Sequence, residues 1–153
     1  MSDQRPPIRP TEEDGRLSLR DHALERAARA RVALGPPTDA ARFARLLSDR
    51  SLVRYPTSVL FDATHLEPNE FAWAMPLGDH PKDGFVIVIH PRFQGRPELW
   101  PLLAAYHLPT INYGEIVDAE TCEAFGAELF GMEVNAYYAK LVLAADEIRS
   151  SSR

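Results

Sequence analysis

A chain of 153 residues has room for one compact domain, and a hydrophobic content of 45% excludes a wholly disordered chain. No apolar run comes near the roughly 20 residues of a membrane-crossing helix, and the single cysteine, Cys122, excludes an intramolecular disulfide. The net charge of −5 hides an asymmetry, because residues 1–54 carry 11 Arg and no Lys against 8 acids, whereas the remainder carries 6 basic groups against 14 acids.

Residues 1–15 include Pro6, Pro7 and Pro10 and lack apolar periodicity. They read as a disordered or loosely docked arm, neither signal peptide nor membrane anchor, ahead of a single domain over 16–153. Leu17 to Leu34 predicts a helix rich in Ala, with a modest stripe of Leu17, Leu24, Ala28 and Val32. Gly35, Pro36 and Pro37 end it. Thr38 is the expected N-cap of a second helix ending near Arg50, whose Phe43, Leu46 and Leu47 share one face. Together these segments predict an N-terminal helical hairpin.

The period then changes. Ser58 to Thr64 predicts a strand, and Glu67, Pro68 and Asn69 supply turn chemistry. From Phe71 to Met75 large and small residues alternate, the pattern of a strand with bulky groups on one face. Phe71, Trp73 and Met75 would be either core or an apolar contact surface. Gly78 to Gly84 is a polar loop, and Phe85 to Ile89 is an unbroken apolar run, as in a strand buried on both faces. Short links predict a three-stranded antiparallel meander.

The last third returns to helices. Pro97 to Leu108 predicts one helix, and Leu108 to Glu115 reads as an irregular segment. Asp118 caps a helix through Phe130, and Gly131 stops it. A final helix runs from Met132 to about Ile148. The predicted fold class is therefore α+β: an N-terminal helical hairpin, a three-stranded antiparallel meander and a C-terminal helical layer.

Alternating strand directions would gather His65, Glu67, Glu70 and His90 at one end of the sheet. Two imidazoles and two carboxylates suit a divalent metal such as zinc, or the acid and base of a metal-dependent hydrolase. Their spacing lacks the compact ligand periodicity of a metal motif, and the plainer reading makes them turn and strand-end residues. His80 reads as an exposed loop side chain, and His107 is expected at the opposite end of the sheet from His90 if its helix starts at the His90 edge and runs back along the sheet. In Asn112–Tyr113–Gly114–Glu115, Glu115 is a candidate base and Tyr113 a donor, against a structural turn. Cys122 lies near a helix N-terminus, but Glu120 and Glu123 oppose a thiolate, which favours a packed core cysteine.

Residues Gly131 to Leu141 resemble the helix that follows the metal site in small zincin metalloproteases. The paired-histidine helix of that family is missing, since Leu102 to His107 holds one His and no adjacent Glu. Three functional readings remain. The first is a non-catalytic cytoplasmic protein that binds a protein partner, as a homodimer or other homo-oligomer. The second is the metal-dependent hydrolase. The third, nucleic-acid binding through Arg16, Arg20, Arg26 and Arg29, is disfavoured because each Arg has acidic neighbours and aromatic interleaving is lacking.

Overall fold

The apolar run Phe85–Ile89 forms the middle of the sheet. The computed structural model describes residues 11–151. In it β1 (Thr57–Phe61) and β2 (Ala72–Pro76) flank β3 (Phe85–Ile89), in the order β1-β3-β2. β1 runs parallel to β3, with Thr57 opposite Phe85 and Phe61 opposite Ile89. β2 runs antiparallel to it, with Ala72 opposite Ile89 and Pro76 opposite Phe85. The expected antiparallel meander is thus corrected in its adjacency. Strand directions do alternate along the chain, but β3 is seated between its two predecessors. Its composition explains why: Val86 to Ile89 is apolar on both faces, so the interior position buries most of it. The connection across residues 62–71 is long enough to step past the slot that β3 fills, roughly 10 Å wide at two strand spacings.

Register sorts the sheet into two faces. Val59, Phe61, Ala72, Ala74, Ile87 and Ile89 face the main core. Leu60, Trp73, Met75, Val86 and Val88 lie on the other face and take no part in that core. Small residues on the inner face of β2 let helices approach, while its bulky residues are half-buried on the outer face. Val88 is fully buried there, between Leu60 and Trp73 in register.

The core is completed by helices. α1 (Glu12–Leu34) starts with a capping box, in which Thr11 and Asp14 satisfy each other's backbone N–H groups. The boundary expected at residue 15 therefore falls inside a helix, and residues 1–10 of the expected arm lie outside the described residues. The buried face of α1 is Ala23, Ala27 and Ala30, whereas Val32 and Leu17 of the expected stripe are exposed. Alanines bring α1 close against α5 (Ala119–Phe130), its principal neighbour. Arg20 pairs with Glu120 at 2.9 Å and Arg31 with Glu128 at 2.8 Å across that contact. α2 (Ala40–Ser48) packs against both α1 and β1. Its N-cap is Asp39 rather than Thr38, and it buries Phe43, Leu46 and Leu47 as its spacing predicts.

The segment expected as one helix and one loop is two short helices, α3 (Trp100–Ala105) and α4 (Leu108–Tyr113). Pro109 explains the difference, since a proline is tolerated in a helix's first turn and lacks the N–H that would continue the preceding one. α5 is capped by Asp118 and stopped by Gly131 in the left-handed conformation, as its sequence predicts. α6 (Val134–Ser151) buries Tyr137, Leu141, Ala144 and Ile148, a seam at helical spacing. Glu147 ties its far end down, accepting from Arg96 Nη1 at 2.7 and 2.8 Å and from Arg92 Nε at 3.2 Å.

Tyr137 fixes how the helices stack. Its ring is fully buried and its hydroxyl donates to the Leu102 carbonyl at 2.7 Å. A Cβ at Gly126 would overlap that ring, so α5 carries glycine where α6 inserts its tyrosine. A glycine-to-alanine change in an exposed helix stabilises by about 1 kcal/mol. Gly126→Ala is expected to reverse that sign and destabilise by about 1–3 kcal/mol through overpacking. Tyr137→Phe should lose about 1–2 kcal/mol by stranding the Leu102 carbonyl. Urea unfolding of both variants checks the pair of values.

Candidate functional site

The two edges of the sheet differ. At β1, the Phe85 N–H donates to the Pro56 carbonyl at 2.8 Å, and the Asp62 N–H to the Ile89 carbonyl at 3.0 Å. Alternation between those bonds turns Ser58 and Leu60 toward β3 and directs the N–H and C=O groups of Thr57, Val59 and Phe61 to the open side. No proline or charge interrupts Thr57–Ser58–Val59–Leu60–Phe61. At β2, the His90 N–H donates to the Phe71 carbonyl at 2.8 Å and the Leu77 N–H to the Gly84 carbonyl at 3.0 Å. That phase turns Ala72, Ala74 and Pro76 outward, where Pro76 has no N–H to offer. Thr110, Gly114 and Glu115 sit beside Ala74 and Pro76, so this edge is also partly screened.

Beside the open β1 edge lies an apolar groove between α2 and the strand, lined chiefly by Phe43, Ala44, Leu47, Val59, Phe61 and Trp100. Trp100 meets Phe43 and Phe61 edge-on, each at 5.5 Å between ring centres, which gives the groove a rigid aromatic floor. Among its lining residues Arg50 is the one charged side chain, and it donates to the Leu47 carbonyl at the end of α2. Free strand hydrogen-bonding groups next to an apolar groove are what an added extended segment needs: backbone partners for affinity and pockets for alternate side chains. Sequence reasoning did not single out this groove. The available signal was a short strand lacking the charges and prolines that usually blunt an edge.

The residues expected to hold a metal behave differently. β1 and β3 do end, and β2 does begin, at one end of the sheet, near which His65, Glu67, Glu70 and His90 follow in the chain. Their side chains turn to local tasks. The Arg92 N–H donates to His90 Nδ1 at 3.1 Å, and the Glu67 N–H donates to Glu70 Oε1 at 2.8 Å. Burial and the neighbouring Arg92 lower the pKa of His90, and His65 is exposed. Among the described residues no group of three or more His, Cys, Asp or Glu side chains is placed to hold a metal ion.

Other candidates resolve into structural parts. Asn112 is buried in the last turn of α4; it accepts from the Arg54 N–H at 2.9 Å and donates to the Leu52 carbonyl at 3.0 Å. Tyr113 meets His22 Nδ1 at 2.7 Å beneath the Arg26 guanidinium, and Glu115 is exposed. His80 accepts from the Lys82 N–H at 3.1 Å in its exposed turn. Cys122 is buried, and burial pushes its thiol up to about 11, which makes it a core thiol rather than a nucleophile. Arg20 and Arg31 are engaged by α5, so the basic N-terminal third in part neutralises acids of its own chain. No described helix is long and apolar enough to cross a membrane.

His107 corrects one expectation. Its ring packs at 6.1 Å from Phe71, on the same side of the sheet's end as His90 rather than opposite, because the chain breaks between α3 and α4. Nε2 is buried without a hydrogen-bond partner among the described residues, and burial pulls the pKa from 6.5 to about 4. The unfolded chain therefore binds this proton more readily, so the contribution of neutral His107 is intact above pH 6.5 and is lost as pH falls toward 4. Acidification over that window should destabilise the protein by up to about 3 kcal/mol, and His107→Leu should flatten the slope, as read by denaturant unfolding against pH.

Compared with protein families, curated proteins and solved structures, the chain matches none.

Proposed function

We propose that this chain is a non-catalytic protein that acts by binding protein along the open edge of β1. The observation that supports this reading is the juxtaposition of that uncharged, unblunted edge with the aromatic-floored groove beneath α2. An extended segment laid against Thr57, Val59 and Phe61 exchanges backbone hydrogen bonds with them. Alternate side chains of that segment then enter the groove between Phe43, Leu47 and Trp100. The apolar contacts supply affinity, and the backbone ladder fixes direction and register.

A displayed library of extended peptides provides the test. Enriched sequences are expected to alternate apolar residues and to bind Val59→Pro at least about tenfold more weakly, or about 1.4 kcal/mol. Proline at that position removes an N–H from the open side and leaves the ladder to β3 in place. No enrichment, or equal binding to the variant, would sink the reading. The hydrolase alternative requires His65, Glu67, Glu70 and His90 to gather around a divalent ion. Elemental analysis of wild type against His90→Ala separates the two: the binding reading expects no metal that depends on His90.

A further inference from the structure

We infer that Arg26, Arg29 and Arg54, gathered about Tyr113 where α1 passes the end of α4, bind the pyrophosphate group of a small phosphorylated ligand. The site uses none of the residues of the β1 edge or its groove, so it stands apart from the binding reading above.

α1 carries three half-buried arginines, Arg20, Arg26 and Arg31. Each has a guanidinium nitrogen shut off from water with no hydrogen-bond acceptor among the described residues. Arg20 and Arg31 nevertheless meet a carboxylate through Nη2, Glu120 at 2.9 Å and Glu128 at 2.8 Å. Arg26 has no such partner among the described residues. Two of its nitrogens, Nε and Nη1, are enclosed and unpartnered, and its guanidinium lies over the Tyr113 ring, 5.3 Å from the centre. A ring face returns less than a guanidinium gives up on leaving water, so the missing carboxylate marks a place for an anion from outside the chain.

The neighbours add charge instead of cancelling it. Arg29 is the next position on that face of α1, and Arg54 reaches the same corner from the segment that leads into β1. The Arg54 N–H donates to Asn112 Oδ1 at 2.9 Å and its Nη1 to the Asn112 carbonyl at 3.0 Å, one residue before Tyr113. Those partners are neutral, and both Arg29 and Arg54 are exposed. Among the described residues neither has a carboxylate within ion-pairing distance. Tyr113 does not serve as the counter-charge. Burial raises its pKa against the opposing pull of Arg26, Arg54 and Arg29, so the phenol keeps its proton and pairs with His22 Nδ1 at 2.7 Å.

The arrangement selects the kind of anion. Arg26 and Arg29 come from a helix and Arg54 from a separate segment, which suits the tetrahedral oxygens of phosphate better than a planar carboxylate. A single phosphate carries about 1.5 to 2 negative charges near neutral pH, short of the three guanidinium groups, and a second linked phosphate closes the difference.

Calorimetric titration of the full chain with sodium pyrophosphate at about 50 mM salt tests the site. Arg26→Gln, Arg29→Gln and Arg54→Gln are each expected to weaken binding about tenfold or more, while Arg16→Gln, about 15 Å back along the helix from Arg26, leaves it unchanged. Thermal unfolding gives a second reading: pyrophosphate should raise the midpoint of wild type and not that of Arg26→Gln. The exposed Arg29→Gln gives the same contrast with no buried group removed. No heat and no midpoint shift at about 5 mM pyrophosphate overturns the inference. So does an affinity that all three variants leave intact, or one that Arg16→Gln lowers equally. Acetate binding as tightly as pyrophosphate overturns the phosphate class, and a phosphoserine peptide binding more tightly overturns the small ligand.

Discussion

The pairing of β3 with both other strands is the constraint on which the remaining architecture depends. Phe85–Ile89 takes the interior of the sheet because apolar side chains on both of its faces need cover. Seating it there separates β1 from β2 and leaves each with one unpaired side. The inner face collects the helices, whereas Leu60, Trp73, Met75 and Val86 remain as an apolar layer outside the main core. The open edge follows from that placement: β1 is available because β3, and not β1, is enclosed.

The same placement shows where sequence reasoning succeeded and where it failed. Helix limits written in local chemistry were legible: Asp118 and Gly131 bound α5, and Phe43, Leu46 and Leu47 name the buried face of α2. The β3 run was legible to the residue. Strand order was not, because loop length says how far a connection reaches and not which slot lies between its ends. A clue was nevertheless present, since a run apolar on both faces is inconsistent with the edge position that a meander would give it. The α1 face was misread for a related reason. Leu and Val were weighted over Ala, yet alanine is what a close helix contact selects, and Ala23, Ala27 and Ala30 are the residues enclosed.

The candidate site was legible only in part. His65, Glu67, Glu70 and His90 do follow strand ends that coincide, but strand geometry does not determine where side chains point. Backbone N–H groups within two or three residues claim Nδ1 of His90 and an oxygen of Glu70. Local turn chemistry therefore competes with ligand geometry for the same atoms. The groove by contrast joins residues from α2, β1 and α3 that are far apart in the chain, so no local pattern could reveal it.

The attachment of α1 carries a different consequence. Its 23 residues are held by three buried alanines, by partly solvated ion pairs to α5 and by the contacts of His22 and Arg26 with Tyr113. Alanine has little apolar surface to withdraw from water, and screened pairs contribute modestly. The helix is long but lightly anchored, while α5 and α6 are locked by Tyr137 against Gly126. Such a mismatch divides the molecule into layers of unequal persistence. The outermost one is expected to open first, so the amides of α1 should trade hydrogen for deuterium before those of β3.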